Sequence, residues 1–400
     1  MDAVVNPWSL AGLSIEQDLR QHRQPSTLSG CSGSRDFEPY EQPSFNIDGR
    51  IMVDAKTHHR IMADHAFQVT SFPTVSAGRK RKQARESGDT ELTSQETSKL
   101  PPLTDEQALL ASPKLCGFSF TEKKFLHFFV DRTSPIQWNA RCFEHLVLPD
   151  SQKELVQALV AEHASRGGDG GGTLAFDDIV QGKGRGLVLV LHGPPGVGKT
   201  LTAECVAEFS RRPLYIVSSG DLGTSVSELD EKLGRTLDLA SMWKAVLLID
   251  EADVFLERRS LNNMERNGLV SIFLRALEYY IGILFMATNR VCTFDDAFKS
   301  RIHVPLWYDE LSPASRARVW RNFLKGVEGS ADVDEAGYDA LAEAPLNGRQ
   351  IKKVVRTAKS LAMYKRRRLD LGQLQQVVDI QLKFERELAP EEGEVDAASR

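Results

Sequence analysis

The stretch LHGPPGVGKT, residues 191–200, decides how the rest of the chain is interpreted. It lies between the apolar run GLVLVLHG and the helix-favouring sequence TLTAECVAEF. Glycines between a buried strand and a helix let several backbone N–H groups point at one anion, so such loops bind phosphate groups. In this context the pattern GxxxxGKT predicts a phosphate-binding loop for ATP or GTP.

Each part of this loop has a predicted role. Lys199 supplies a positive charge for the β and γ phosphates, and the Thr200 hydroxyl is placed to bind Mg²⁺. The expected cofactors are therefore ATP and Mg²⁺. The residues of this loop that we expect to contact the nucleotide are Gly193, Pro194, Pro195, Gly196, Val197, Gly198, Lys199, Thr200 and Leu201.

Five short apolar runs indicate the fold class. They are nearly continuous in Val, Ile and Leu and are separated by helical stretches, a pattern typical of buried parallel strands. The runs are GLVLVLHG, PLYIVSS, AVLLID, GILFMATN and IHVPLWY. The predicted fold class is α/β: a P-loop NTPase parallel sheet flanked by helices, followed by a small all-helical lid domain, with a partly disordered N-terminal region.

Acidic and amide side chains follow the third and fourth runs. Asp250 is placed to hold Mg²⁺ through water, and Glu251 is placed to polarise a water molecule for in-line attack on the γ phosphate. A helix N-terminus that attracts acids explains Asp253, but not two acids directly after a buried strand. Asn289 ends the fourth run, where it either holds the attacking water or is an ordinary turn residue. These residues predict ATP hydrolysis.

At this point the chain resembles the AAA-type ATPases of the AAA+ superfamily. Four motifs carry the resemblance in the family's order, over roughly residues 175 to 390: GPPGVGKT, LLIDEADVF, FMATNR and FDDAFKSRIH. Other segments are similar to a subgroup common in filamentous fungi, mostly of unassigned substrate. These segments are LVLPDSQKELVQALV, GPPGVGKTLTAECVAE, ERRSLNNMERNGLVSIFLRALEYY and LNGRQIKKVVRTAKSLA.

The resemblance implies further roles for three arginines. Arg301 is the expected finger that enters the nucleotide site of a neighbouring subunit; the alternative is a surface ion pair. That role implies a homo-oligomeric ring, expected to be a hexamer. Arg290 is a weaker candidate for the same finger, and the alternative is that it only caps the loop after the fourth run. Arg349 either senses nucleotide from the lid or is a solvated or interfacial residue.

One departure from the family concerns the loop after the second run. Members that thread polypeptides place an aromatic residue and a glycine there, but this chain has SSGDLGTSVSELDEKLG. Leu222 and Val226 are the apolar residues that would have to substitute. Threading is therefore in doubt.

The predicted domain boundaries follow composition and pattern. The leader, residues 1–100, is expected to be largely disordered, with a strand-like or hairpin segment over 49–62 and a basic linker over 76–100. Residues 101–165 are expected to form a small α/β segment before the ATPase domain, and the glycine run 167–172 a flexible insertion. The ATPase α/β domain is expected over 175–308, the helical lid domain over 309–388 and an acidic tail over 389–400.

Composition excludes several classes of protein. The chain shows no apolar run that could span a bilayer and no secretory signal, so we expect an intracellular protein, cytoplasmic or nuclear. Its five cysteines, Cys31, Cys116, Cys142, Cys205 and Cys292, have no CxxC spacing, which argues against a disulfide framework or a zinc site. Cys205 and Cys292 are interpreted as packed thiols. The net charge of −5 gives no general attraction to nucleic acid.

Two basic clusters leave alternatives open. GRKRK, residues 78–82, is either a nuclear-import signal or a solvated linker segment. The basic stretch 350–370 has no interleaved aromatic residues, which favours an inter-subunit or solvent face over nucleic acid. The sequence therefore predicts a ring-forming ATPase that remodels a protein client. The alternatives are a DNA- or RNA-directed loader or helicase and a slow-turnover, ATP-dependent scaffold.

Overall fold

The computed structural model describes residues 10–13, 47–61, 109, 111–166, 186–223, 225–258, 264–290, 295–325 and 333–388. The predictions for the basic linker, the GRKRK segment, the glycine run, the acidic tail, Cys31 and Cys292 lie outside these residues. The chain divides into two compact units, residues 1–137 and 138–400. Within the described residues, no helix combines the length and apolar character needed to cross a membrane.

The first unit contains an antiparallel five-stranded sheet in the order β4-β3-β2-β1-β5. Its strands are β1 (Leu10–Leu13), β2 (Gly49–Val53), β3 (Lys114–Ser119), β4 (Lys124–Phe129) and β5 (Thr133–Pro135). The segment predicted as a strand or hairpin contains β2 followed at once by helix α1 (Ala55–Ile61). A 3₁₀ turn, Val130–Arg132, joins β4 to β5. Large apolar side chains, among them Ile51 and Phe128, are fully buried and stabilise the sheet.

The second unit contains the parallel sheet that the five apolar runs predicted. Its strands are β6 (Leu187–His192), β7 (Leu214–Ser218), β8 (Val246–Asp250), β9 (Ile283–Thr288) and β10 (Val304–Trp307). All neighbouring strands are parallel, in the order β10-β6-β9-β8-β7. The side chains of β9 are all buried, and so are those of β6 and β8 up to their last residues, because helices cover the sheet.

Among the described residues of the second unit, two helices precede β6 and six lie between successive strands of the sheet. They are α2 (Cys142–His145), α3 (Asp150–Arg166), α4 (Lys199–Ser210), α5 (Ser219–Leu222), α6 (Val226–Met242), α7 (Asp253–Leu256), α8 (Met264–Tyr279) and α9 (Asp296–Lys299). The buried face of α4, which includes Ala203, Val206 and Ala207, packs in one core with Leu189 of β6 and Leu248 of β8. This packing fixes the start of α4 at the carboxyl end of the sheet.

The described residues of the C-terminal part, which we call the lid, form four helices. They are α10 (Pro313–Lys325), α11 (Glu335–Glu343), α12 (Gly348–Tyr364) and α13 (Leu371–Leu388). They share a core around the fully buried Trp320, to which α12 contributes Ile351, Val354 and Ala358. The apolar positions of α12 recur every three or four residues, so one stripe is buried while its basic residues face outward. The all-helical C-terminal part is as predicted.

Candidate nucleotide-binding site

The glycine-rich loop lies between the end of β6 and the start of α4. Three of its glycines have positive φ: 146° at Gly193, 78° at Gly196 and 107° at Gly198. No side chain in the described part of the chain caps the N-terminus of α4, which follows Gly198. A Cβ placed on Gly198 would have no atom within 4 Å, so open space lies beside this helix end. Uncapped N–H groups next to open space are the arrangement that binds an anion.

Lys199 is the first residue of α4, and its side chain is held inside the loop. Its ammonium donates hydrogen bonds to the carbonyl oxygens of Gly193 and Pro194, each at 2.7 Å. Burial lowers the pKa of Lys199 from its ordinary value of 10.5 to about 8, an effect that Asp250 opposes and Arg349 adds to. Asp250, at the end of β8, and Arg349, in the lid, therefore both lie near enough to Lys199 to affect its charge.

The remaining predicted loop residues differ in exposure. Thr200 is half-buried in the first turn of α4, and Leu201 is exposed. Pro195 is exposed, whereas Val197 is buried and packs in the core of the sheet. Thr200 can present its hydroxyl at the site, while Val197 anchors the loop.

The lid touches the loop directly through main-chain atoms. The N–H of Gly348 donates to the carbonyl of Gly196 at 2.9 Å. Asn347 caps α12 by accepting from the Gln350 N–H at 3.0 Å, and a Cβ on Gly196 would come within 2.5 Å of the Asn347 Oδ1. Gly196 therefore needs glycine both for its positive φ and for this approach. Arg349, the next residue of α12, is exposed.

Asp250 and Glu251 lie where β8 ends. The Asp250 carboxylate accepts a hydrogen bond from the Glu251 N–H at 3.0 Å. Glu251 has φ 55°, a left-handed conformation that costs a non-glycine residue roughly 1 kcal/mol or more, and its side chain is exposed. The turn holds the Glu251 side chain at the surface instead of in the core. Backbone strain of this kind is concentrated at functional sites.

Asn289 and Glu251 line the same cleft, of about 250 Å³. They line one cleft because β8 and β9 are neighbours in the sheet. Beside them, the buried hydroxyl of Thr288 donates to Asp253 and accepts from the Arg290 N–H. The backbone of Arg290 is thus part of the turn after β9, and its side chain also lines the cleft.

Arg301 follows α9 and contacts its own chain. Its guanidinium donates to the Ala297 carbonyl at 2.9 Å and lies 3.4 Å from the Glu278 carboxylate on α8. The side chains of Arg301 and Glu278 are 29% and 30% exposed, so the pair is accessible from solvent. A role across a subunit interface remains a prediction.

The loop after β7 corrects one expectation. Leu222, one of the two apolar residues considered for a pore, is only 1% exposed and belongs to α5, so it cannot line a channel. Val226 is 38% exposed at the start of α6. Both residues are apolar and lie close to Gly223 in the sequence, so the sequence pattern does not distinguish the buried one from the exposed one.

Sequence reasoning missed the contacts that hold the loop in place. Tyr308, after β10, shares a buried hydrogen bond of 2.6 Å with Thr202 of α4. A Cβ on Gly193 would come within 2.2 Å of the Tyr308 carbonyl. The capping signal at Asn347 is visible in the sequence, but its contact with Gly196 joins segments about 150 residues apart and leaves no local pattern.

Comparison with known proteins places this site in context. Residues 189–309 match the family model described as ATPase family associated with various cellular activities (AAA). Human ATPase family AAA domain-containing protein 3B is 33% identical over 149 residues, which is 35% of this chain and 23% of that protein. Fidgetin-like protein 1 of Caenorhabditis briggsae is 31% identical over 148 residues, 35% of this chain and 25% of that protein.

Two further likenesses complete the comparison. Meiotic spindle formation protein mei-1 of Caenorhabditis elegans is 32% identical over 188 residues, 42% of this chain and 38% of that protein. The chain thus spans well under half the length of these relatives. The crystal structure of the FIGL-1 AAA domain in complex with ADP aligns with a TM-score of 0.47 and 18% identity, covering 63% of this chain and 92% of that one.

Proposed function

We propose that this chain, an AAA-type ATPase over residues 189–309, binds Mg²⁺-ATP and hydrolyses it to remodel a protein client. The observation that carries the proposal is the loop before α4. Its three positive-φ glycines precede an uncapped helix N-terminus, and Lys199 begins that helix. The pair Asp250 and Glu251, at the end of β8, supplies the acids that hydrolysis requires.

Binding rests on the loop and on Lys199. Its backbone N–H groups and the N-terminus of α4 bind the phosphate oxygens, because the helix dipole favours negative charge there. The ammonium of Lys199 exchanges two neutral carbonyl acceptors for charged phosphate oxygens, with which hydrogen bonds are stronger. Arg349 adds positive charge from the lid side of the same site.

The donor atoms present suit Mg²⁺. The Thr200 hydroxyl and the Asp250 carboxylate are oxygen ligands of the kind that Mg²⁺ prefers, and they would hold the ion. When bound, Mg²⁺ supplies positive charge that stabilises the phosphate oxygens during transfer. Glu251 accepts the proton of the attacking water, and Asn289, in the same cleft, orients that water.

A ring would complete the site. AAA ATPases typically oligomerise in rings, and we propose a homo-oligomer, expected to be a hexamer, in which Arg301 stabilises the transition-state charge in the neighbouring subunit. The client and the mode of remodelling belong to the proposal, because the chain spans only part of its relatives. Threading through an aromatic pore loop is not proposed, since the segment after β7 has no aromatic residue and Leu222, one of the two possible substitutes, is buried.

The substitution Glu251→Gln tests hydrolysis. The amide keeps the shape of the carboxylate but cannot accept the water's proton, so steady-state turnover should fall by about 10²-fold or more while ATP affinity is unchanged. Glu257→Gln is the matched control, because Glu257 lines the same cleft and instead pairs with Arg266. Wild-type turnover in Glu251→Gln would show that another group is the base.

The same variant tests the client. Glu251→Gln protein loaded with ATP should retain a bound protein that is released in ADP, and mass spectrometry identifies it. ATPase assays with added DNA or RNA separate the alternative class, since stimulation by nucleic acid that disappears at high salt would favour a loader or helicase.

A further inference from the structure

Two histidines and a cysteine meet on one face of the N-terminal sheet. Cys116 of β3 lies directly opposite His127 of β4 in the antiparallel register. Cross-strand partners project to the same face of a sheet, so the two side chains are neighbours. The ring of His58, from α1, has its centroid 5.2 Å from the ring of His127. One potential ligand atom from each of these three residues lies within 4.8 Å of the other two.

The fold holds His58 at this face. Helix α1 follows β2 after a single residue, Asp54, whose carboxylate accepts the Thr57 N–H at 2.9 Å and whose carbonyl accepts the His58 N–H at 3.1 Å. Because β2 pairs with β3, the short connection carries α1 over the sheet next to Cys116. His58 is only 2% exposed.

The surroundings are apolar. Phe118 and Phe125 pair across β3 and β4 with ring centroids 5.0 Å apart, and both rings are buried. Phe125 also contacts the ring of His58, with centroids 5.7 Å apart. Imidazole and thiolate ligands inside an apolar shell, with limited access of water, are the setting in which proteins bind Zn²⁺ and related metals.

We propose that His58, Cys116 and His127 bind a borderline or soft transition-metal ion, for which Zn²⁺ is the representative. Zinc bonds of about 2.0 to 2.3 Å place neighbouring tetrahedral ligand atoms roughly 3.3 to 3.7 Å apart, so the three side chains need to draw in by about 1 Å. Coordination releases the Cys116 thiol proton to solvent and forms a sulfur–metal bond. The fourth position is open to water or another ligand, and the ion fastens α1 to β3 and β4.

Sequence spacing cannot reveal such a site. The absence of CxxC pairs argued against zinc, but here the ligands come from three elements, two of them adjacent strands. Only the register of β3 against β4 and the placement of α1 bring them together.

Cobalt substitution tests the proposal on the full chain. The metal-stripped protein, titrated with Co²⁺, should develop one thiolate-to-cobalt charge-transfer band in the near ultraviolet with a 1:1 end point, and Zn²⁺ should displace it. Cys116→Ser should abolish this band. His127→Asn should weaken Co²⁺ binding by at least about tenfold, since changes to groups that only orient a ligand already cost 10- to 100-fold.

Two variants serve as matched controls. His59→Gln alters the neighbouring imidazole of α1, and Cys142→Ser removes a buried thiol of the other unit; both should keep the wild-type band and affinity. Unchanged circular dichroism and ATP binding in Cys116→Ser would show that the variant is folded. The proposal is overturned if no thiolate band forms in the wild type, or if the band persists in Cys116→Ser. Because the readout is independent of ATP turnover, it is independent of the proposed ATPase function.

Discussion

The substitution Gly348→Ala tests the contact between the lid and the phosphate-binding loop. Gly348 opens α12, and its N–H donates to the Gly196 carbonyl at 2.9 Å. An alanine Cβ would lie 2.8 Å from that same oxygen. Because an unstrained carbon–oxygen contact is longer by roughly 0.5 Å, the lid helix or the loop must shift by about that distance. We therefore expect Gly348→Ala to weaken ATP binding.

The size of the effect follows from the cost of overpacking. An added methyl group in a close contact costs about 1 to 3 kcal/mol. If this cost falls on the arrangement of lid and loop that binds nucleotide, the dissociation constant for ATP rises by about 5- to 150-fold. Isothermal titration calorimetry with Mg²⁺-ATP measures it directly.

Gly234→Ala is the matched control for this measurement. Gly234 lies inside α6, and a Cβ there has no atom within 4 Å. Alanine should raise the free energy of unfolding by up to about 1 kcal/mol through helix propensity and leave ATP affinity unchanged. Wild-type ATP affinity in a folded Gly348→Ala protein would refute the reasoning, since the lid contact would then lie outside the nucleotide site.

Three further predictions concern the site and its support. Lys199→Ala should abolish tight ATP binding with little change in thermal stability, and an unchanged dissociation constant for ATP would contradict the role of the loop. Arg301→Ala should bind ATP normally but turn over about 10³-fold more slowly, and mixing it with Lys199→Ala should restore part of the activity; no gain at any mixing ratio of exchanging subunits would exclude action across an interface. Thr288→Val should lower the free energy of unfolding by about 1 to 3 kcal/mol, because it leaves the partly buried Asp253 carboxylate without the hydroxyl donor. Urea titration measures this loss, and a change below about 0.5 kcal/mol would contradict it.

The parallel sheet could be predicted because its strands are buried on both faces. Runs such as VLVLH in β6 and VLLID in β8 are compatible with a buried strand or a buried helix. The turn residues between the runs favour strands. The order β10-β6-β9-β8-β7 could not be read from the runs, since it depends on which crossover each connection makes. The loop itself was located because glycine spacing and Lys199 form a local pattern.

Contacts between segments far apart in the chain could not be predicted from the sequence. The approach of Gly348 to Gly196 and the grouping of His58 with Cys116 and His127 depend on tertiary packing, which leaves no periodic signal. The burial of Leu222 shows the same limit on a smaller scale. A four-residue helix, α5, turns this side chain inward, and composition alone cannot give that direction.

The ion pair of Arg301 within its own chain is compatible with a role across an interface. Glu278 lies 3.4 Å away, and both side chains are about a third exposed, so the pair contributes roughly 0 to 1 kcal/mol. A transition-state contact worth 10³- to 10⁵-fold in rate corresponds to about 4 to 7 kcal/mol. The free energy of the ion pair is too small to prevent the guanidinium from forming the transition-state contact. The ion pair with Glu278 is therefore weak enough to break if Arg301 contacts the nucleotide of a neighbouring subunit, as proposed.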